Sequence, residues 1–222
     1  MAQPVIPKWS YSFLNDYQIC RKRAFHKYVA KDVKHEDTAA LRWGNTVHAA
    51  LDKAIAKSEP LEGEVSRFAP WASAFAGQPV ETEVKLAVRE DGSPCDFFDD
   101  DCYGRGKADV VVTPGDSTLR LFDWKTGKVR EDNFELRCQA VLAQARNPDV
   151  RQIWGWYVWL GEGPTGKLGA KHDLSDVETT WAEIDSRMHD VKFSVNSGSW
   201  PARQGPMCGF CPVKQCEFNR TK

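Results

Sequence analysis

The sequence predicts an α/β protein: a mixed β-sheet flanked by helices. Three observations carry that prediction. Segments of strand-like alternation are interleaved with segments of helical period over most of the 222 residues. "IWGWYVWL", 153–160, is apolar on both faces, as a strand in the middle of a sheet must be. Two shorter runs, "KADVVVT" and "LRLFDW", are joined by the turn signal "PGDS" and so read as a hairpin. Hydrophobic content of 41% is enough for a real core. The net charge of −1 excludes a global field that draws the chain to nucleic acid or membrane, so polyanion binding requires a local patch. No apolar run approaches membrane-spanning length and no signal-peptide pattern opens the chain, which together predict a cytoplasmic protein with no membrane partner. The sequence names no protein partner.

In chain order, Ser12 reads as an N-cap, followed by Phe13, Tyr17, Cys20, Ala24 and Tyr28 at helical spacing. Between Cys20 and Lys34 six basic residues stand against one acid, Asp32. Arg21, Lys22, Arg23 and Lys27 are therefore candidate phosphate contacts, the alternative being a solvated helix face; Arg42, Lys128, Arg130 and Arg137 extend the set. A second helix runs from about Trp43 to Ala56, with Val47, Leu51, Ala54 and Ile55 on its apolar side. "VETEVKLAV", 80–88, alternates as a strand. The stretch 90–101 holds six acids and no base and reads as a loop of unexplained purpose. "NFELRCQAVLAQAR" is helical, and Ser175 with Glu178 forms a capping box that opens a helix to about Asn196.

The chemistry is concentrated in the hairpin. Asp123 and Lys125 interrupt an apolar strand two residues apart and so share a face. A hairpin centred in "PGDS" sets Asp109 nearly opposite Asp123. Directly opposed side chains have Cβ atoms about 5 Å apart, where like charges destabilise the pair. Two opposed acids on buried strands need a shared proton or, better, a divalent cation, and their hard oxygens suit Mg²⁺ or Mn²⁺. Lys125 beside such a cation could orient or deprotonate a water, or neutralise a phosphate. His48 in "GNTVHAALDKAI" and the Trp124 carbonyl are candidate further ligands; Glu81 and Glu83 are weaker ones, equally readable as the solvated side of their strand.

Seven cysteines are present, three of them in Cys208-x2-Cys211-x4-Cys216, a density that points to metal or cluster ligation in a reducing compartment. A fourth ligand is needed. Spacing alone leaves Cys20, Cys95, Cys102 and Cys138 open, and leaves open zinc against a [4Fe–4S] cluster.

His48 in "GNTVH", Asp109 in "GKADVVV", and Asp123 with Lys125 in "FDWKTGK" occur in the order found in the PD-(D/E)XK nuclease superfamily. The chain resembles its RecB-type nuclease domains and the related CRISPR-associated exonucleases from about Ser12 to Cys216, and "SFLNDYQICRKRAFHKYV" resembles their first helix. The resemblance implies the restriction-endonuclease-like fold with an iron–sulfur cap joining the two termini, and a single nuclease domain over 1–222. In that division 12–34 and 200–218 form the cap and 43–196 the nuclease core. It implies Mg²⁺ or Mn²⁺ on His48, Asp109 and Asp123, water activation aided by Lys125, and support from Gln139. It selects Cys20 as the fourth ligand, with Cys208, Cys211 and Cys216, of a [4Fe–4S] cluster, zinc being the alternative. Ala143 stands where the family often has tyrosine, Ala108 where its name has proline, and the last cysteine spacing is x4 where several relatives have x5. The implied function is a metal-dependent DNA exonuclease acting on single strands or duplex ends in recombination, repair or phage DNA processing, in a bacterial, archaeal or phage-infected cell. Alternatives are a CRISPR-adaptation trimming nuclease, an endonuclease, and a non-catalytic DNA-binding module built on a zinc or iron–sulfur knuckle.

Overall fold

The computed structural model describes residues 5–33 and 37–220. Lys34, the last of the six basic residues, lies outside them. The chain divides into two compact units, Thr38–Thr180 and Met1–Asp37 with Trp181–Lys222. Among the described residues no helix is long and apolar enough to cross a membrane.

The central unit is a six-stranded mixed sheet flanked by helices, as expected. Strands β1 (Val80–Val88), β2 (Gly104–Val112) and β3 (Thr118–Lys125) form an antiparallel meander. Strand β4 (Gln152–Trp159) joins β3 in parallel, which requires the crossover helix α5 (Phe134–Arg146). The short β5 (Lys167–Leu168) and β6 (His172–Asp173) both pair with β4. Two-sided burial explains why β4 lacks alternation. One face joins the core of Val47, Leu51, Phe68, Phe75, Val110, Val112, Trp124, Val158 and Leu160. On the other, Leu174 and Leu136 press on Gly155, where a Cβ would lie 2.4 Å from Leu174 Cδ1. Helix α3 (Ala39–Lys57) starts at Thr38, whose side chain accepts from Leu41 N (3.1 Å), and buries Val47 and Leu51, one turn apart; the short α4 (Ala69–Ser73) precedes β1.

Three acids of the acidic loop have local partners. Arg89 pairs with Asp101 (2.5 Å) and Asp99 (3.4 Å), Asp91 accepts from Ser93 N and Oγ, and the Lys85 and Arg105 cations stand over Phe97.

The terminal unit departs from the expected single long helix. Ser10, not Ser12, caps α1 (Tyr11–Ile19), accepting from Phe13 N at 3.2 Å. Cys20 is extended and breaks the helix before α2 (Arg21–Ala24), which continues as one π-helical turn, Phe25–Val29. Helix α6 (Val177–Ser197) was expected to belong to the core up to 196, yet from Trp181 onward it falls in the terminal unit. The physical reason is its buried stripe of Ile184, Met188 and Val191, together with the Tyr17 hydroxyl, which reaches Asp190 O and Ser194 Oγ at 2.7 Å each. The expected capping box is replaced by Asp176, whose Oδ1 accepts from Thr179 N (3.0 Å); Ser175 Oγ instead accepts from Ile153 N.

Asp16 anchors this unit. Its buried carboxylate receives Arg23 Nε (3.0 Å), Lys27 Nζ and the Tyr28 hydroxyl (2.8 Å). Removing one member of a buried ion cluster leaves the others desolvated and uncompensated. Asp16→Ala is therefore expected to destabilise the terminal unit by about 3 kcal/mol or more, seen as a lower urea midpoint; an unchanged midpoint would contradict that role.

Candidate active site and cysteine cavity

The β2–β3 register pairs Val110 with Phe122 and Val111 with Leu121, and one further step in that register sets Asp109 opposite Asp123. There the ladder opens, because side chains replace backbone partners. Asp109 Oδ2 accepts from Trp124 N at 2.8 Å, while its Oδ1 accepts from His48 Nδ1 at 3.2 Å. Asp123, 3% exposed, accepts from Gln139 Nε2 (2.8 Å) through Oδ1 and has Lys125 Nζ at 2.5 Å from Oδ2. Lys125 in turn donates to Glu135 Oε2 at 2.7 Å and lies over the Tyr157 ring.

Each of these side chains comes from a separate element. His48 follows the buried Val47 on α3 and stays half-buried at the edge of that helix's apolar face. Gly44, one turn earlier, allows Thr126 to approach: a Cβ there would lie 3.3 Å from Thr126 Oγ1. Glu135 and Gln139 are one turn apart on α5, matching Lys125 and Asp123 two residues apart on β3.

A fourth acid enters from β1. The β1–β2 ladder pairs Thr82 with Val110 and Val84 with Ala108, but Glu83, facing Asp109, drops out of the pairing and adopts a left-handed φ of 52°. For a side chain such as Glu this is a strained conformation. It places Glu83 beside His48 (Oε1 to Nδ1 4.0 Å) and pairs it with Lys107. One ligand atom each from His48, Glu83 and Asp109 lie within 4.8 Å of one another. Among the described residues this group takes in Glu83, ranked low from sequence, while the oxygens of Asp123 are held by Gln139 and Lys125. The weak sequence signal for Glu83 was its place in the strand opposite Asp109; the backbone reversal that aims it has no signature in the residue pattern.

The electrostatics are those of a site lacking positive charge. Burial, and then the charge of Asp109, push the Asp123 carboxyl up to about 7 despite Lys125. Burial alone would favour neutral His48, but the Asp109 hydrogen bond and the Asp109 and Asp123 charges outweigh it and raise its pKa. Burial also opposes the Lys125 ammonium, yet Asp123 and Glu135 outweigh it and hold the lysine charged. The Asp123 carboxyl of raised proton affinity, opposed to Asp109 and beside an imidazole and the Glu83 carboxylate, fits a hard divalent cation in oxygen-rich coordination.

In the terminal unit Cys20, Cys208, Cys211 and Cys216 all line one cavity of about 400 Å³, with Arg23, Met207 and Asn219 also on its wall. The extended backbone at Cys20 delivers the first thiol, and the turn Pro206–Phe210 presents Cys208. Two sulfurs accept backbone N–H groups: Cys20 Sγ from Arg203 (3.3 Å) and Cys208 Sγ from Gly205 (3.4 Å). Cys138 is buried in α5, Cys95 lies within the acidic loop and Cys102 directly follows it, all three in the central unit.

Of the predicted phosphate contacts, Arg23 and Lys27 turn inward to Asp16, with side chains 16% and 11% exposed. Arg21 and Lys22 stay nearer solvent, paired with Asp190 (3.4 Å) and Glu217 (2.7 Å).

Comparison with known proteins accords with this geometry. Residues 56–216, well over half of the chain, match the PD-(D/E)XK nuclease superfamily, and the protein belongs to that superfamily. Its fold resembles the crystal structure of SSO0001, at 13% identity and a TM-score of 0.52 over 94% of this chain and 86% of that one. It also resembles a protein of Eubacterium rectale described as a candidate exonuclease, at 9% identity and a TM-score of 0.54 over 91% of this chain and 87% of that one. No curated protein matches.

Proposed function

We propose that this protein is a metal-dependent DNA exonuclease that hydrolyses phosphodiester bonds at single strands or duplex ends, in recombination, repair or phage DNA processing. The observation that carries the reading is the opposition of Asp109 and Asp123 at the mouth of a hairpin, with His48 and Glu83 on one side and Lys125 on the other. Superfamily membership and the description of the Eubacterium rectale neighbour support it.

Asp109, Asp123 and His48 would hold the Mg²⁺ or Mn²⁺, with Glu83 as an added ligand. Bound there, the cation supplies a water of lowered pKa and polarises the phosphoryl oxygen. The protein's own groups set the positions. Trp124 N–H fixes one oxygen of Asp109, and Gln139 fixes one oxygen of Asp123. Lys125, kept charged between two carboxylates, serves as a cation for a phosphate oxygen rather than as a base. End-labelled single- and double-stranded DNA, incubated with Mn²⁺ and the purified protein, tests the activity. Products shortening progressively from an end are expected; no cleavage with either metal contradicts the reading.

A [4Fe–4S] cluster on Cys20, Cys208, Cys211 and Cys216 is part of the same proposal. A single tetrahedral zinc gathers its sulfurs to about 3.8 Å from one another. Among the described residues no group of three or more cysteines reaches even the 4.8 Å spacing of the His48 site. A cavity of about 400 Å³ with all four cysteines on its wall suits a multi-atom group better. The two N–H···S contacts orient the sulfurs of Cys20 and Cys208.

Phosphate contacts fall to Arg21 and Lys22, since exposed ion pairs are worth only about 0–1 kcal/mol and can be exchanged for DNA at little cost. Arg21→Ala with Lys22→Ala is expected to lower the slope of log affinity against log salt by about 2. An unaltered slope in a binding titration would return both residues to simple surface pairing.

A further inference from the structure

We infer that Glu135 is the positioning residue that keeps Lys125 in the active site once a divalent cation has taken over Asp123; the inference rests on the reading of Asp109 and Asp123 as the metal site.

Three oxygens of the two aspartates accept hydrogen bonds, from Trp124 N and His48 on Asp109 and from Gln139 on Asp123, whereas Asp123 Oδ2 has only the ion-pair contact with Lys125. Two of these partners, the Trp124 N–H and the Gln139 amide, are neutral and do not repel an arriving cation. Lys125 is different, because it carries a full charge 2.5 Å from Asp123 Oδ2. Two like charges about 4 Å apart repel by about 4 kcal/mol for each unit of charge product near a protein surface. If Asp123 were its sole anchor, the lysine would be expelled as the metal bound, and the reaction would lose its second cation.

Glu135 supplies the other anchor. Its Oε2 accepts from Lys125 Nζ at 2.7 Å, with side chains 24% and 27% exposed. It stands in the first turn of α5, one turn before Gln139, so one helix face holds both reactive residues of β3. The ammonium also lies 5.4 Å from the centroid of the buried Tyr157 ring, a cation–π contact that a departing metal or product does not disturb. Glu135 makes its ion pair with Lys125, and its charge also adds to the raised proton affinity of Asp123. Metal and lysine thus cease to compete for one carboxylate.

The test uses the full-length protein and Glu135→Gln, which keeps shape and removes charge. Mn²⁺ affinity is read by titration calorimetry without DNA. The expected result is a several-fold weaker affinity, because Lys125 then depends on Asp123 alone. The ¹⁵N-labelled Lys125 ammonium resonance is followed as Mg²⁺ is added; it is expected to persist in the wild type and to broaden beyond detection in the variant. Turnover at saturating metal is expected to fall about 10- to 100-fold in kcat with KM for DNA little changed, and Glu135→Asp to restore part of it. A role confined to stability would lower Tm without moving either metal-linked readout. Unchanged Mn²⁺ affinity together with a persistent lysine resonance in Glu135→Gln overturns the inference. If the wild type binds Mn²⁺ but cleaves nothing, the nuclease reading fails while these two measurements still decide the role of Glu135.

Discussion

Asp109→Ala is expected to abolish Mn²⁺-supported DNA cleavage, with a loss of about a thousandfold or more. Asp109 joins α3 to β3 at the centre of the site. Its two oxygens accept from His48 of α3 and from the Trp124 backbone of β3, while Glu83 of β1 faces it across the sheet. Removing it deprives the cation of a central carboxylate, frees His48 to turn, and leaves the Trp124 N–H without its acceptor. A cation's stabilisation of transition-state charge is worth several kcal/mol, and each 1.4 kcal/mol is a factor of about ten in rate. Asp109→Asn separates the causes, since its carbonyl still accepts from Trp124 N while the charge is gone. Cleavage of an end-labelled strand should be as low in Asp109→Asn as in Asp109→Ala, with far-UV circular dichroism unaltered. Activity above about a tenth of wild type in either variant would remove Asp109 from the site.

Cys211→Ser should have the second largest effect, on the terminal unit. The purified wild type is expected to be brown and to carry about four irons per chain, and the variant to be pale, with little iron and a lower melting temperature. The destabilisation follows because a cluster that binds only the folded unit contributes its binding free energy to folding. The four thiols reach their common cavity from chain positions nearly the whole sequence apart, Cys20 after α1 and Cys208 to Cys216 near the C-terminus. A colourless wild type with one zinc per chain would replace the cluster by a single metal. Unchanged iron in Cys211→Ser would exclude Cys211 as a ligand.

Much of this arrangement was legible in the residues because it depends on local patterns. "PGDS" fixed the centre of the hairpin, and with it the facing of Asp109 and Asp123. Alternation in 80–88 gave β1 its observed bounds, and two-sided apolarity marked β4 as interior. What was not legible depends on backbone conformation and helix rotation. Glu83 read as a solvated residue because alternation assumes a regular strand, and its left-handed φ breaks that assumption at one position. Arg23 and Lys27 read as a surface patch because their acidic partner, Asp16, precedes the basic stretch that begins after Cys20. Asp16 lies seven and eleven residues before them, positions that share one helical face, and that spacing was the available sign of the buried pairs. Glu135 carried a similar sign, four residues before Gln139. The cap of α6 went to Ser175 because a capping box favours serine, whereas the fold engages Ser175 with β4 and leaves Asp176 at the helix start.

The most direct test is an anomalous difference map from a crystal of the wild-type protein soaked in Mn²⁺. A peak within about 2.0–2.3 Å of oxygens of Asp109 and Asp123, with His48 as a further ligand and Lys125 still on Glu135, is the predicted result. Both aspartates splayed apart with no peak between them would contradict the assignment of this hairpin as the seat of hydrolysis.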